Sequence, residues 1–112
     1  MDYKSEYDRI LKAVYDEKLY ADKHLDRDTF ASHMNLSRHT LNRILSSNTD
    51  GLSFPQWMNN IRIQRAGELL QDEPGKTIAK ISEEVGLTPD NLRRLYRQKV
   101  GVTPSEYRYK KG

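Results

Sequence analysis

The sequence predicts an all-α fold: two helix-turn-helix units joined by one long linker helix. Three observations carry this expectation. Ser53 to Gln71 reads as one continuous helix with two apolar faces, amphipathic segments with capping residues recur on either side of it, and the segments on the two sides repeat one another. At 112 residues, 36% apolar and 31% charged, the chain suits one compact domain or two very small lobes with narrow buried stripes better than a thick sandwich core. The expected division is residues 1–52 for an N-terminal helix and the first lobe, 53–71 for the linker helix, and 72–112 for the second lobe.

Tyr3 to Tyr20 places Tyr7, Ile10, Leu11, Val14 and Lys18 at amphipathic-helix spacing. Asp26 caps a short helix through about Met34 that turns Phe30, Ala31 and Met34 inward. Asn35-Leu36 makes a tight turn, and Ser37 caps a second helix from Arg38 to about Ser46 with Leu41, Ile44 and Leu45 on its buried side. Residues 48–52 form a loop. Ser53 and Gln56 then have capping-box spacing, and Pro55 lies in the first turn, where a missing N–H costs little. In that long helix Phe54, Trp57, Met58 and Ile61 cluster on one side; Ile63, Ala66, Leu69 and Leu70 cluster on a side rotated by roughly 140°.

Asp72-Glu73-Pro74-Gly75 is a stop signal. Thr77 caps a helix from Ile78 to Val85, Gly86-Leu87 turns the chain, and Thr88 caps a helix that opens on Pro89 and runs to about Lys99 with Leu92, Leu95 and Tyr96 inward. Gly101 ends it. Thr103 and Glu106 form a second capping box for a last helix from Pro104 to about Tyr109.

A shift of 51 residues pairs Ser82 with Ala31, Gly86 with Asn35, Leu87 with Leu36, Thr88 with Ser37, Leu92 with Leu41 and Leu95 with Ile44. A shift of 50 then pairs Gly51, Ser53, Gln56 and Trp57 with Gly101, Thr103, Glu106 and Tyr107. Apolar positions match between any two amphipathic helices, but turn, caps and glycine seldom match together, so the chain is an internal repeat.

The second helix of such a unit fits a DNA major groove while the first braces it across the backbone. The outward quartets here are His39, Asn42, Arg43 and Ser46 in the first unit and Asp90, Arg93, Arg94 and Arg97 in the second. Arg43 and Arg94 can each donate two parallel hydrogen bonds to guanine, and Asn42 can do the same for adenine. His39, Thr40, Asp90 and Asn91 lie nearer the helix starts, with Arg38 at the first helical position of its unit. Charge agrees: from Lys76 onward nine basic residues outnumber four acidic ones, leaving +5 there and −2 in the first 75 residues. A linker of roughly 18 residues spans about 27 Å, of the order of the ~34 Å between successive major grooves on one DNA face. One chain is thus expected to insert two recognition helices into adjacent grooves.

These residues resemble the C-terminal DNA-binding domain of the AraC/XylS-type transcriptional regulators. The matching pieces are LDRDTFASHMNLSRHTLNRIL for the first unit, MNNIRIQRAGELL for the linker, and TIAKISEEVGL with VGVTPSEYR for the second unit and the end, from about Leu25 to Arg108. The resemblance implies a seven-helix, two-lobed domain of a bacterial, cytoplasmic regulator. It places base contacts on His39, Asn42 and Arg43 in the first unit and on Asp90, Asn91 and Arg94 in the second. The chain departs from the family between Gly86 and Leu92, where it is one residue shorter and has Leu87 in place of a common aromatic; the first unit is the closer match. Most members carry a sensor or dimerisation domain before this module, and KLYADKHLDRDTFA resembles the entry to it. The chain is therefore expected to be either a small stand-alone regulator or a piece of a larger one; its partner is promoter double-stranded DNA, joined in the second case by a sensor or dimerisation domain beyond this chain, with no membrane contact by this segment.

An enzyme is not expected, because no nucleophile arrangement, Gly-rich phosphate loop or metal-ligand spacing is present, and neither metal nor cofactor is expected. The absence of cysteine excludes disulfides and thiolate metal sites. Arg62 and Arg65 are further phosphate candidates, with a helix-surface pair to Glu68 competing for Arg65. The rival from another class is a helical protein-interaction module, which differs from a DNA reader in lacking a steep salt dependence.

Overall fold

The computed structural model describes residues 2–111, with side chains described through Tyr109; Lys110 and Lys111 of the basic C-terminal balance lie outside the described side chains. Regular structure among these residues is helical: α1 (Tyr3–Asp16), a short 3₁₀ turn (Leu19–Ala21), α2 (Arg27–His33), α3 (Arg38–Asn48), α4 (Phe54–Asp72), α5 (Ile78–Glu84), α6 (Pro89–Val100) and α7 (Pro104–Lys111). The seven α-helices match the predicted set. They form two compact units, Met1–Met58 and Asn59–Gly112, whose boundary falls inside α4.

In the first unit, α1 begins where the Asp2 carboxylate accepts from the amides of Lys4 and Ser5. It buries Ile10 and Val14. The helix ends one turn earlier than the stripe to Lys18 predicts. Lys18 adopts a left-handed φ of +53°, and the 3₁₀ turn that follows brings the Tyr20 ring to 6.0 Å from Tyr15. In a continuous helix these two positions would sit about 140° apart and could not stack, so burial of Tyr20 overrides the local pattern. Around Phe30, which is fully buried, the rings of Phe54 and Trp57 lie at 5.3 and 5.8 Å. Trp57 Nε1 donates to the Tyr7 hydroxyl at 3.1 Å, giving its one polar group a partner within the cluster. Arg9 reaches across from α1 to donate to Met34 O at 3.2 Å, at the C-terminal end of α2.

The second unit buries Ile63, Ala66, Leu69 and Leu70 of α4 together with Ile81, Val85, Leu92 and Tyr96. Tyr96 meets Tyr107 edge-on at 5.7 Å, and burial pushes its hydroxyl up to about 12. Arg108 of α7 donates to Leu70 O in the last turn of α4 and to Glu73 O and Lys76 O in the connection that follows it, tying α7 to the end of α4 and the turn toward α5.

The repeat is reproduced in the turns and capping boxes. After α2, the amides of Asn35 and Leu36 bond Ser32 O and Ala31 O at 3.1 and 2.8 Å; after α5, those of Gly86 and Leu87 bond Glu83 O and Ser82 O at 3.3 and 2.9 Å. This paired closure requires a left-handed residue, supplied by Asn35 at φ +58° and Gly86 at φ +74°. Gly51 and Gly101, at +83° and +93°, each stand two residues before a capping box, but Gly101 is itself the cap of α6, with its amide on Arg97 O, whereas Gly51 follows the Thr49 cap of α3 and left-handed Asp50. In these boxes Ser53 N and Thr103 N donate to Gln56 Oε1 and Glu106 Oε1 at 3.0 and 3.1 Å. The repeat also extends further back than the sequence comparison reached: Asp26 and Thr77 cap α2 and α5 through the amides of Thr29 and Lys80.

A substitution follows from this equivalence. Gly86→Val is expected to lose about 1–2 kcal/mol from the left-handed conformation alone, whereas Gly86→Asn, which installs the residue of the first unit, loses clearly less. Urea unfolding of the two variants measures the difference. Equal losses would assign the cost to crowding and not to φ.

Candidate nucleic-acid interface

The two candidate reading helices are built by the same local chemistry. Ser37 Oγ accepts from the Thr40 amide at 3.0 Å, and Thr88 Oγ1 accepts from the Asn91 amide at 3.1 Å, so each helix starts at a defined residue with its first turn facing solvent. Leu41, Ile44 and Leu45 on α3, and Leu92, Leu95 and Tyr96 on α6, are buried. With those stripes inward, the opposite faces present Arg38, His39, Asn42 and Arg43 in one unit and Asp90, Asn91, Arg93, Arg94 and Arg97 in the other, all exposed. Thr40 is half-buried, and its hydroxyl accepts from Ser37 Oγ at 3.0 Å, which ties it to the cap. The short Gly86–Leu92 connection, where the chain departs from the family it resembles, nevertheless sets Asp90 and Asn91 in the first turn of α6, matching His39 and Thr40 on α3.

The two faces differ in how their cations are held. On α6 Arg93 pairs with Asp90 at 2.5 Å, and Arg94 donates to Asn91 Oδ1 at 3.2 Å, both partners lying three residues back on the same helix. Asp90 is thereby balanced by its own helix instead of presenting a bare carboxylate; so exposed a pair is held weakly and can exchange for another partner. On α3 the restraint comes from elsewhere: Arg43 Nε donates to the Tyr3 hydroxyl at 3.1 Å, and Arg38 lies 4.0 Å from Asp28 on α2. Tyr3 and Asp28 were invisible as neighbours of the site in the sequence, because the one stands 40 residues from its partner and neither belongs to a reading-helix pattern. Asn42 also lines an open groove with Asp26, Arg27, Asp28, Ser53, Phe54 and Pro55, at the starts of α2 and α4. There the Asp26 carboxyl is held below its ordinary range, chiefly by the Thr29 amide.

Not all of the basic excess belongs to an interface. Lys76 bonds Glu84 and Glu73, which raise its ammonium above the ordinary value, and Arg108 is engaged by carbonyls. Arg62 corrects the sequence expectation: it is buried, and donates to Asn59 Oδ1 at 3.3 Å, so it does not offer itself to phosphate. Arg65 makes the expected pair with Glu68 at 3.1 Å. His33 bonds Glu17 at 2.8 Å on the surface. Among the described residues no three His, Asp or Glu groups converge to hold a metal ion, and no helix is long and apolar enough to cross a membrane.

Residues 30–110 match a protein family described as a helix-turn-helix domain. An uncharacterized HTH-type transcriptional regulator of Bacillus subtilis is 31% identical over 78 residues, 70% of this chain; the chain spans 24% of that relative's length. The DNA-binding domain of AdpA, a global transcriptional factor solved in complex with a target DNA, superposes with a TM-score of 0.79 at 24% identity, over 92% of this chain and 89% of that one. The C-terminal domain of AraT, a response regulator from Geobacillus stearothermophilus, gives 0.75 at 28% identity, over 90% and 84% of the two chains.

Proposed function

The chain belongs to the family of AraC-type helix-turn-helix domains, whose members are transcriptional regulators and not enzymes, and from that premise we propose that it reads double-stranded promoter DNA through α3 and α6. Arg43 and Arg94 pair guanine, Asn42 pairs adenine, and His39, Asp90 and Asn91 meet bases near the helix starts. Arg38, Arg93 and Arg97 neutralise phosphates, and Thr40 orients the first turn through its cap. The observation that carries this reading is the twofold repetition of a capped helix whose exposed face bears arginine, including Arg43 at the position equivalent to Arg94.

The helix α4 has 19 residues, about 28 Å of axis, which supports adjacent major grooves as the two targets. A regulator of this kind works in the bacterial cytoplasm, and the greater length of the Bacillus relative agrees with a sensor or dimerisation domain acting on this module from outside the chain.

Selection of bound sequences from a random duplex library tests the proposal. Two conserved blocks with centres about 10 base pairs apart are expected; enrichment of one block alone would overturn the paired reading, and no enrichment would overturn DNA reading altogether. Arg43→Ala is expected to cost roughly 1–3 kcal/mol and to relax preference at a single base pair. Equal losses on cognate and random duplex would reduce Arg43 to a phosphate contact.

A further inference from the structure

The hydrogen bond from Arg43 Nε to the Tyr3 hydroxyl, at 3.1 Å, joins the exposed face of α3 to the first turn of α1 across 40 residues of chain. Resting on the DNA reading proposed above, we infer that Tyr3 is a positioning residue for base recognition by Arg43. Tyr3 is itself held in place. Its carbonyl accepts from Asn48 Nδ2 at 3.2 Å, and the same amide donates to Ile44 O at 2.8 Å, so the last turn of α3 grips the backbone of the residue whose ring braces the middle of α3. Asp2 caps the turn in which Tyr3 begins α1.

The chemistry of the guanidinium gives this contact its consequence. Of its five N–H donors, the one on Nε is given to Tyr3, which leaves the four on Nη1 and Nη2 as an end-on fork. That fork matches guanine O6 and N7. A long flexible side chain loses conformational freedom when it is immobilised on a base, and a brace that restricts it beforehand reduces that loss. Tyr3 is suited to the task, since its ring turns about only two torsions. The second unit is arranged differently: Arg94 is restrained through Nη2 by Asn91 of its own helix, which engages one nitrogen of the end-on fork. The brace therefore leaves the fork of Arg43 open and that of Arg94 partly occupied.

The test uses the whole chain with Tyr3→Phe, which keeps the ring and removes the hydroxyl. Affinity is measured for the selected duplex and for the same duplex with the Arg43-read base pair exchanged. Discrimination between them is expected to fall roughly 2- to 10-fold, with the melting temperature and the slope of affinity against salt unchanged, because no phosphate contact is removed. Arg43→Ala lowers discrimination further, and the double variant discriminates no worse than Arg43→Ala alone, since Tyr3 acts through Arg43. Full discrimination in Tyr3→Phe alongside its loss in Arg43→Ala would overturn the positioning role and leave the DNA reading standing. Equal weakening on both duplexes would likewise overturn it. Full discrimination in Arg43→Ala would overturn both.

Discussion

Phe30→Ala is expected to destabilise the first unit by about 3–5 kcal/mol, the usual cost of emptying a fully buried aromatic site. Phe30 has no solvent exposure, and its ring faces those of Phe54 and Trp57 at 5.3 and 5.8 Å, so truncation removes contacts to two other large side chains at once. The loss is comparable with the entire stability of a small domain. It also reaches function, because Phe30 lies on α2, whose packing sets the position of α3. Trp57 is the sole tryptophan and belongs to this cluster, so its fluorescence during urea unfolding reports the first unit directly. Binding to a duplex carrying only the first block should weaken in parallel. Phe30→Leu, which refills much of the site, should recover most of both. A loss below about 1 kcal/mol in the alanine variant would show that the aromatic cluster is not the centre of this unit.

One alanine inserted after Asn60 is expected to abolish two-block recognition while each unit keeps its fold. The insertion lies within α4, beyond the boundary after Met58 that closes the first unit, and turns everything past it by about 100° with an advance of 1.5 Å. Two linked readers gain on the order of 10²–10⁴ in affinity over either alone only when geometry lets both engage. Affinity for the two-block duplex should fall to the level of a one-block duplex, a loss of at least about 100-fold. Fluorescence anisotropy with the two duplexes gives both numbers. Unchanged two-block binding would dismiss α4 as the spacer that sets the register of the readers.

The sequence was most informative where the physics is local. Helix caps, left-handed closures and capping boxes each depend on residues within about five positions, and Asp26, Ser37, Thr77, Thr88 and both capping boxes make the bonds their residue types and spacings predict. The failures share one cause. The predicted stripe from Tyr7 to Lys18 is genuine as far as Val14, but the helix stops because Tyr20 finds a better place against Tyr15 than continued helix offers. Arg62 reads as a candidate phosphate contact, and Arg108 as one more positive charge. The first is buried, and the second ties α7 to the last turn of α4 and the connection after it, through contacts the sequence does not encode locally.

What the sequence determined by itself was the seven helices, their boundaries to within a turn, the repeat, and the set of side chains on the outward faces of α3 and α6. These follow from periodicity and capping, which act over one or two turns of chain. What only the tertiary structure decided was the state of those side chains: Arg43 braced by Tyr3, Arg93 and Arg94 tied back onto α6, Arg62 withdrawn from the surface. The helical pattern says which way a side chain points, whereas its partner depends on which surfaces packing brings within 3–4 Å. For Tyr3 and Arg43 that meeting is made by α1 lying against α3, an outcome of core burial with no local signature in the chain.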